Sequence, residues 1–385
     1  MYRNRRVTLR EPLVLTCMVL GLAALGVGTT KAIAASAEAG SAPPSVQIGD
    51  LMLRTAAEPV RERQGWRSPT LILIAPQLHD QLPVLQQIAP NARFLEVSER
   101  TPLAAVAEAD AAIGICKPRI IQAASHLVWI QWMAAGVEYC LSQPVIQQRQ
   151  LLVTNLQRVA ASSMAEHVMA LMLILDRHLD DYYRLQQRRH WVLDAETAPQ
   201  ITDLKDQTVL VVGLGGIGTE VARRASAFGM RVLATRSSKA GAPDFVSYVG
   251  MPEELPMLVA DADFIINCTP LTPQTQGLFN KDLFALMKSG AYFINVGRGA
   301  SVVTPDLIAA IKSKRLAGAG LDVTDPEPLP ASNELWRLPH VLITPHISGE
   351  SQDTARLRNA VLAENMRRYV AGEAMVSVVD LQRGY

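Results

Sequence analysis

Short apolar runs alternate with longer amphipathic segments from about residue 45 onward. A first series of apolar runs lies at residues 71–74, 94–97, 112–115, 127–130 and 151–153. A second series lies at residues 209–212, 231–234, 264–267, 291–295, 318–322 and 341–344. Apolar runs of this length, separated by helix-length sequence, are typical of buried parallel strands. The pattern therefore predicts an α/β protein with two doubly wound parallel sheets.

Two longer segments have helical character. Residues 162–185, rich in Met, Leu and Ala, lie between the two strand series and are predicted to form one long helix that crosses between domains. Residues 352–370 have the pattern of an amphipathic helix with no strand nearby, and we expect this helix to return to the first domain. His167 on the crossing helix and His340 have no identifiable partner and are expected to be structural.

The first 37 residues differ from the rest of the chain. Four arginines lie among the first ten residues, an apolar run follows at residues 13–28, and small residues come next, as in an export signal. The apolar run is too short to favour a spanning helix. The start also resembles a twin-arginine signal, with Thr8 where a large apolar residue is usual. We therefore expect an exported, periplasmic protein. The alternatives are an ordinary secretory signal, an uncleaved anchor, or a cytoplasmic protein whose start codon is placed too early.

The charge balance excludes several classes of partner. The 385 residues include 37 Lys and Arg against 36 Asp and Glu, so the formal net charge is +1. This balance does not favour binding to nucleic acid or, beyond the possible N-terminal signal or anchor, to a membrane. Cys17, Cys116, Cys140 and Cys268 are far apart and form no C-x-x-C pair. We expect buried thiols, no disulfide framework and no metal site.

A glycine-rich motif follows the first strand of the second series. Its residues are Gly213-Leu214-Gly215-Gly216-Ile217-Gly218. Gly213 permits a tight turn, Gly215 lets the backbone approach a pyrophosphate, and Gly218 allows close packing of helix and strand. The following helix would add free N–H donors, and Gly216 and Ile217 lie in its first turn. The strand-turn-helix context predicts a dinucleotide site. The alternative is a glycine turn that binds nothing.

The segment after the next strand indicates which dinucleotide binds. An NAD site normally has a carboxylate here for the ribose hydroxyls. This chain instead has Thr235-Arg236-Ser237-Ser238-Lys239. Arg236 and Lys239 could pair with a 2′-phosphate and Ser237 could donate a hydrogen bond to it. NADP is therefore favoured, with NAD possible if Arg236 is simply a solvated loop residue.

Five motifs in order resemble one known family, the D-2-hydroxyacid dehydrogenases. They are the glycine turn, Cys268-Thr269-Pro270-Leu271-Thr272-Pro273, Asn295-Val296-Gly297-Arg298-Gly299, Leu321-Asp322-Val323 with Glu327-Pro328, and Thr344-Pro345-His346-Ile347-Ser348-Gly349. The resemblance covers about residues 111–368. Within a family that includes phosphoglycerate dehydrogenase, the loop after the second strand is most similar to that of the glyoxylate/hydroxypyruvate reductases.

The resemblance implies a particular domain organisation. A Rossmann-type dinucleotide-binding domain of residues 156–346 would be inserted in a flavodoxin-like substrate domain of residues 45–155 and 347–385. Residues 1–37 would be the signal-like segment. We also expect a homodimer.

By the same resemblance, three residues form the catalytic site. His346 would be the acid that protonates the substrate oxygen, Glu327 would pair with His346, and Arg298 would hold the substrate carboxylate and polarise the carbonyl. The chemistry agrees, because a neighbouring carboxylate fixes the tautomer of an imidazole and a guanidinium binds a carboxylate through two parallel hydrogen bonds. Each residue alone also has a structural interpretation, as a packed histidine, a charged turn or a loop residue.

Further contacts are carried over from the family. Thr269, Pro270 and Asp322 would lie near the nicotinamide, with Asp322 accepting a hydrogen bond from its carboxamide. The turn at Ala135 and Gly136 would present backbone N–H groups to the substrate carboxylate. The next acidic residue is Glu138, where the family usually has Asp, and the turn could also be a simple connection between strand and helix.

The sequence therefore predicts an oxidoreductase that transfers a hydride between NAD(P)H and a small 2-keto or D-2-hydroxy acid of the glyoxylate or hydroxypyruvate type. The alternative is a dinucleotide-sensing binding protein of the same fold with little catalysis. A third candidate activity is that of formate dehydrogenase. That enzyme normally pairs its histidine with Gln, so the presence of Glu327 makes this activity less favoured.

Overall fold

The computed structural model describes residues 48–191, 201–238 and 241–384. The signal-like segment 1–37, Cys17 and the predicted cofactor residue Lys239 lie outside the described residues. Among the described residues, no helix has both the length and the apolar character needed to cross a bilayer.

The first sheet is formed by the first series of apolar runs. Its strands are β1 (Leu71–Ile74), β2 (Arg93–Glu96), β3 (Ala111–Ile113), β4 (Trp129–Gln131) and β5 (Leu152–Thr154). They pair in parallel in the order β2-β1-β3-β4-β5. This is the flavodoxin-like order of a doubly wound sheet. The helices that follow in the chain are α1 (Leu82–Ile88), α2 (Pro118–Ala123), α3 (Glu138–Leu141), α4 (Pro144–Gln148), α5 (Ala161–Asp176) and α6 (Leu179–Gln187).

The second sheet is formed by the second series together with one strand that the pattern did not predict. Its strands are β6 (Thr208–Val212), β7 (Arg231–Thr235), β8 (Tyr248–Gly250), β9 (Phe264–Asn267), β10 (Ala291–Asn295), β11 (Leu316–Leu321) and β12 (Val341–Ile343). They pair in parallel in the order β12-β11-β10-β9-β6-β7-β8. The order reverses beside β6, as in a Rossmann sheet. The predicted fold class is confirmed. The unpredicted strand β8 is an edge strand of sequence Tyr248-Val249-Gly250, which does not form an apolar run.

The remaining helices pack around both sheets. They are α7 (Gly216–Ala227), α8 (Leu255–Leu258), α9 (Lys281–Leu286), α10 (Thr304–Lys312) and α11 (Gln352–Ala371). Helix α11 packs on the first sheet, where Leu362, Met366 and Tyr369 join its core. Buried Asn365 donates to Gln131 Oε1 at the end of β4, at 2.9 Å. The last helix of the chain therefore completes the core of the first sheet.

The predicted helix 162–185 is in fact two helices, so that prediction was wrong. Helix α5 ends at Asp176, and His178 has a φ of +51°, in the left-handed region that a continuous α-helix excludes. Apolar periodicity continues across the break, so the sequence pattern did not show it. At the break, the His178 ring packs edge-on against the His340 ring, with the ring centroids 5.4 Å apart.

The prediction for the cysteines was wrong for two of them. Cys116 and Cys140 are buried and joined by a disulfide, with their Cα atoms 5.3 Å apart. Because β3 and β4 are adjacent and parallel, the segments that follow them meet at the same edge of the sheet. Sequence spacing cannot reveal such a contact. Cys268 is a free thiol, and burial raises its pKa to about 12, so it behaves as a small apolar residue.

Candidate active site

Most of the predicted site residues lie at the carboxyl edge of the second sheet. They follow the ends of successive strands: Gly213 after β6, Arg236 after β7, Thr269 after β9, Arg298 after β10, Asp322 after β11 and His346 after β12. In an open α/β sheet, ligands bind outside the carboxyl ends of the strands at the point where the strand order reverses. The fold therefore gathers residues that are far apart in sequence into one region.

The glycine turn has the geometry that a pyrophosphate requires. Gly213 has a φ of +97°, and a Cβ on Gly218 would lie 2.2 Å from the Gly213 carbonyl oxygen. Both positions therefore need glycine for the turn itself. In contrast, a Cβ on Gly215 would meet no described heavy atom within 4 Å. Gly215 lies in open space at the N-terminus of α7. The backbone there can accept an anionic ligand at close range.

The first turn of α7 adds donors to this space. The first intrahelical bond runs from Thr219 N to Gly215 O, at 2.9 Å, so the N–H groups of Gly216, Ile217 and Gly218 precede the regular helical ladder. The first turn carries no acidic side chain. Its donors and the positive end of the helix dipole therefore fit a phosphate group. These residues fit the dinucleotide that the sequence predicted.

Arg158 is a cofactor-site candidate that sequence analysis missed. It precedes α5 in the segment that joins the two sheets, and its φ is +64°. Its Cγ lies 2.6 Å from the place where a Cβ on Gly216 would be. An arginine whose side chain begins beside the glycine turn is a candidate to pair with a bound pyrophosphate. Its sequence neighbourhood has no motif that would have indicated this position.

The loop after β7 holds Arg236 against the glycine turn. Its guanidinium donates to the Leu214 carbonyl oxygen at 2.8 Å and to the Gly241 carbonyl oxygen at 3.1 Å. Ser237 follows with an exposed side chain. Arg236 therefore lies beside the predicted cofactor turn, and its contact with a 2′-phosphate stays a prediction.

His346 and Glu327 are in direct contact. His346 Nδ1 lies 2.9 Å from Glu327 Oε2, and Glu327 Oε1 accepts from the Thr324 backbone N–H at 2.9 Å. Because Glu327 can only accept, Nδ1 carries the hydrogen and Nε2 is left for a ligand. The His346 side chain is 54% exposed, so Nε2 can be reached from solvent. The predicted pair is brought together.

Asp322 organises the turn that carries His346. It is 1% exposed, and its oxygens accept from Thr344 Oγ1 at 2.6 Å, Ile347 N at 2.9 Å and Ser348 N at 3.0 Å. Burial alone would raise the pKa of Asp322, but the bonds from Ser348 and Thr344 outweigh it and hold the pKa below its ordinary value. His167 Nε2 contacts Thr344 Oγ1 at 3.0 Å. The predicted contact of Asp322 with the nicotinamide stays a prediction.

Three buried polar residues position the backbone of Arg298, and sequence analysis did not single them out. Asn295 Nδ2 and Ser301 Oγ both donate to the Arg298 carbonyl oxygen, at 3.0 and 2.6 Å. Asn267 Nδ2 donates to both Asn295 Oδ1 and Ser301 Oγ, at 2.9 and 2.7 Å. Asn267 Oδ1 also accepts hydrogen bonds from the backbone N–H and the Oγ1 hydroxyl of Thr269, which is the residue before Pro270. Strands β9 and β10 are apolar runs that each end in asparagine. This feature of the sequence could have indicated that the two asparagines are part of the site.

Arg298 reaches from the second sheet to the glycine turn after β4. Its Nε donates to Glu138 Oε1 at 3.1 Å, and its Nη1 donates to the Gly297 carbonyl oxygen at 2.7 Å. A Cβ on Gly136 would overlap its Nη2. The carbonyl oxygens of this turn also accept hydrogen bonds. Asn155 Nδ2 donates to Ala135 O at 2.7 Å, and Trp132 Nε1 donates to Gly136 O at 2.8 Å. The predicted substrate-binding turn and Arg298 are therefore neighbours.

Comparison with known proteins decides the family. Residues 169–348 match the model of the D-isomer specific 2-hydroxyacid dehydrogenase NAD-binding domain. The human glyoxylate reductase/hydroxypyruvate reductase is 33% identical over 264 residues, which are 68% of this chain and 80% of that protein. The chain belongs to the D-isomer specific 2-hydroxyacid dehydrogenases. It is therefore an NAD(P)-dependent oxidoreductase that transfers a hydride between the cofactor and a 2-keto or 2-hydroxy acid.

Solved structures of this dehydrogenase family agree with the fold. A family member from Xanthobacter autotrophicus Py2, in complex with NADPH and MES, has a TM-score of 0.70 and 28% identity, covering 83% of this chain and 100% of its own. An NADPH-dependent glyoxylate/hydroxypyruvate reductase from Sinorhizobium meliloti, in complex with NADP and sulfate, has a TM-score of 0.69 and 26% identity, covering 82% and 100%. The present dehydrogenase is similar to both over nearly their whole length.

Proposed function

We propose that this dehydrogenase reduces a small 2-keto acid of the glyoxylate or hydroxypyruvate type, with NADPH preferred over NADH. The observation that carries the proposal is that the His346–Glu327 pair and Arg298 follow strand ends at the same edge of the second sheet as the cofactor turn at Gly213. The human and Sinorhizobium relatives are named for these two substrates. Arg236 beside the turn, with no carboxylate after β7, supports the preference for NADPH.

Each residue has a stated role in this proposal. Bound NADPH would supply the hydride that reduces the carbonyl carbon. Arg298 holds the substrate carboxylate with its guanidinium, and backbone N–H groups at Ala135 and Gly136 assist it. His346 Nε2 gives a proton to the carbonyl oxygen, which becomes a hydroxyl. Glu327 accepts from His346 Nδ1 and stabilises the imidazolium before that transfer.

A substrate panel tests this activity. Glyoxylate, hydroxypyruvate, pyruvate and phenylpyruvate are each assayed with NADPH and NADH by the absorbance of the reduced nicotinamide. We expect the highest kcat/KM with glyoxylate or hydroxypyruvate. Larger values for phenylpyruvate would overturn the substrate class. NADPH binding without turnover of any of the four would instead favour a dinucleotide-sensing protein.

A substitution of Arg236 tests the preference for NADPH over NADH. Arg236→Gln removes the charge that would pair with the 2′-phosphate. We expect KM for NADPH to rise roughly tenfold or more, the size of one charge-assisted contact, and KM for NADH to stay near the wild-type value. The matched control is Arg231→Gln, an exposed arginine at the opposite end of β7. Equal effects of Arg236→Gln on both cofactors would contradict the proposal.

We also propose that the protein is exported to an oxidising compartment. The Cys116–Cys140 disulfide supports this, because disulfides persist outside the reducing cytosol. The basic and apolar N-terminal sequence is the second support. Cell fractionation, N-terminal sequencing and mass mapping of thiols test it. A cytoplasmic protein with an intact N-terminus and reduced Cys116 and Cys140 would overturn the proposal.

We further propose a homodimer whose interface includes α6. Leu179, Tyr182 and Tyr183 on this helix are exposed, Tyr183 to 61%, and Trp191 beyond it is 86% exposed. Aromatic side chains exposed together are typical of protein interfaces. Light scattering should give a dimer mass for the wild type and a monomer mass for Tyr183→Glu. Met257→Glu, at an equally exposed position on α8, is the control and should stay dimeric. A wild-type monomer would refute the proposal.

A further inference from the structure

Two histidines and an aspartate converge on the amino edge of the second sheet. His178 lies between α5 and α6, Asp181 lies in the first turn of α6, and His340 immediately precedes β12. One ligand atom from each of these three residues, here called the His178 cluster, lies within 4.8 Å of the other two. The cluster is at the opposite end of β12 from His346. It is therefore separate from the dinucleotide and substrate site.

The spacing within the cluster is too long for hydrogen bonds and somewhat longer than that of ligands around one metal ion. Asp181 Oδ2 lies 3.9 Å from His178 Nδ1 and 3.8 Å from His340 Nε2. Hydrogen bonds to nitrogen are about 2.7–3.2 Å long, so neither imidazole is bonded to this oxygen. A Zn²⁺ ion about 2.0–2.1 Å from each donor places tetrahedral ligands roughly 3.4 Å apart. The two distances from Asp181 Oδ2 exceed this ligand spacing by only about half an ångström, and all three ligand atoms lie within 4.8 Å of one another.

Asp180 orients one imidazole toward the cluster. Its side chain is 5% exposed, and its Oδ2 lies 3.2 Å from His340 Nδ1. Because a carboxylate accepts, Nδ1 of His340 carries the hydrogen, and the lone pair of Nε2 faces Asp181. A carboxylate behind a histidine is the usual outer partner of a metal-binding imidazole. The structure therefore provides a ligand and its supporting group together.

Two buried polar atoms at the cluster have no partner among the described residues. They are His178 Nδ1, the atom that faces Asp181, and Asp180 Oδ1. A buried polar atom without a hydrogen bond is costly and uncommon in native proteins. A metal ion bound by His178 Nδ1 would satisfy the first of these atoms. It would also compensate the negative charge of the buried Asp180.

Arg184 balances the two carboxylates without blocking the cluster. Its Nη1 donates to Asp181 Oδ1 at 2.8 Å, and its Nη2 lies 3.2 Å from Asp180 Oδ2. The 2.8 Å hydrogen bond from Arg184 uses Asp181 Oδ1, whereas Asp181 Oδ2 is the oxygen that lies nearest the two histidines. The Arg184 side chain is about half exposed and can move toward solvent. One oxygen of Asp181 is therefore available for a cation.

We propose that His178, Asp181 and His340 bind one divalent transition-metal ion of the Zn²⁺ class, with Asp180 as a positioning residue. Two imidazole nitrogens and one carboxylate oxygen suit Zn²⁺, whereas Mg²⁺ and Ca²⁺ prefer oxygen ligands alone. The ion holds the break between α5 and α6 against the start of β12. These three protein ligands leave the fourth position of a tetrahedral ion to a solvent molecule.

The test uses the full chain, free of any histidine tag and stripped of metal with a chelator. Calorimetric titration with Zn²⁺ should give one site per chain in the wild type, and Co²⁺ should give the visible absorption of a four-coordinate ion. His178→Asn and His340→Asn should each weaken Zn²⁺ binding by about 100-fold or more. Asn suits both positions, because their φ values of +51° and +53° lie in the left-handed region that Asn tolerates.

Two further variants refine the test. Asp180→Asn should weaken Zn²⁺ binding by about 10–100-fold through loss of the outer carboxylate. His126→Asn is the control, because His126 also lies near a carboxylate, 3.4 Å from Glu108, but on the surface outside the cluster. This variant should bind Zn²⁺ like the wild type.

Several outcomes would overturn the proposal. The first is that the wild type binds no Zn²⁺ at millimolar concentration. The second is that the wild type and both histidine variants bind Zn²⁺ equally well. Equal binding of Mg²⁺ would also overturn it. Thermal melting separates misfolding from metal loss, since Zn²⁺ should raise the melting temperature of the wild type and His126→Asn more than that of the variants with a weakened site. None of these readouts depends on catalysis.

Discussion

Arg298 Nε donates a hydrogen bond of 3.1 Å to Glu138 Oε1, which joins the loop after β10 of the second sheet to the start of α3 beside the first sheet. Both side chains are about 30% exposed. The guanidinium proposed to bind the substrate is therefore oriented by a carboxylate from the other sheet. Glu138 occupies the position where the sequence resemblance expects Asp, and its longer side chain makes this contact.

Removing Glu138 should weaken substrate binding selectively. Glu138→Ala takes away the acceptor that orients Arg298, so we expect KM for the 2-keto acid to rise about tenfold, or roughly 1.4 kcal/mol. Glu138→Gln keeps an acceptor oxygen and should change KM much less. Steady-state kinetics provide the measurement, and Glu99→Ala, a surface residue paired with Lys117, is the control. An equal rise in KM for NADPH would contradict this explanation.

Replacing His346 should affect turnover more than cofactor binding. His346→Asn keeps a residue that tolerates the local φ of +54° and removes the proton donor. We expect kcat to fall by about 10²–10⁴-fold, the usual contribution of general acid catalysis. The dissociation constant of NADPH, measured by fluorescence, should not change. His79→Asn, an exposed histidine that contacts Glu96, is the matched control. Wild-type turnover in His346→Asn would refute the assigned role.

Two glycines of the cofactor turn should respond differently to a methyl group. Gly218→Ala places a Cβ 2.2 Å from the Gly213 carbonyl oxygen and should lower the free energy of unfolding by about 1–3 kcal/mol. Gly215→Ala meets no described heavy atom within 4 Å and should leave stability unchanged. It should nevertheless reduce NADPH affinity, because the methyl group enters the space that the pyrophosphate needs.

Urea unfolding without cofactor and NADPH titration separate these two effects. Gly49→Ala, also in open space but far from the turn in sequence, is the control for both measurements. If Gly215→Ala bound NADPH like the wild type, the cofactor would not approach the backbone at this glycine.

Asp322 should contribute to stability in a pH-dependent way. Its pKa in the folded protein lies below the ordinary value, because hydrogen bonds to the carboxylate outweigh burial. The stabilisation is therefore present above the unfolded pKa of about 3.9 and is lost as the pH falls through the lower folded value. Asp322→Asn should cost about 1–3 kcal/mol at pH 7 and flatten the stability profile below about pH 4.

Urea unfolding at several pH values checks this prediction. The control is Asp261→Asn, which removes an exposed carboxylate 3.8 Å from Arg231 and should change stability little. A parallel acid profile for wild type and Asp322→Asn would show that the hydrogen bonds to Asp322 do not stabilise its charged form.

The sequence by itself determined the strand pattern, the sheet class and the order of the motifs. Buried parallel strands must be continuous apolar runs, and a glycine turn between strand and helix has strict backbone needs, so both are visible locally. Gly213 could be named in advance for the same reason, whereas Arg298, Glu327 and His346 were predicted from the resemblance of their motifs to those of the dehydrogenase family. Their contacts depend on strand ends that meet at one edge of a parallel sheet.

The tertiary structure decided the features that depend on contacts between distant segments. The Cys116–Cys140 disulfide and the Arg298–Glu138 ion pair each join segments that are separate in the sequence. The break at His178 lies within an uninterrupted helical pattern. The His178 cluster forms only because the start of β12 brings His340 next to His178 and Asp181. Periodicity reports which face of an element is buried, whereas the packing of elements determines which side chains meet.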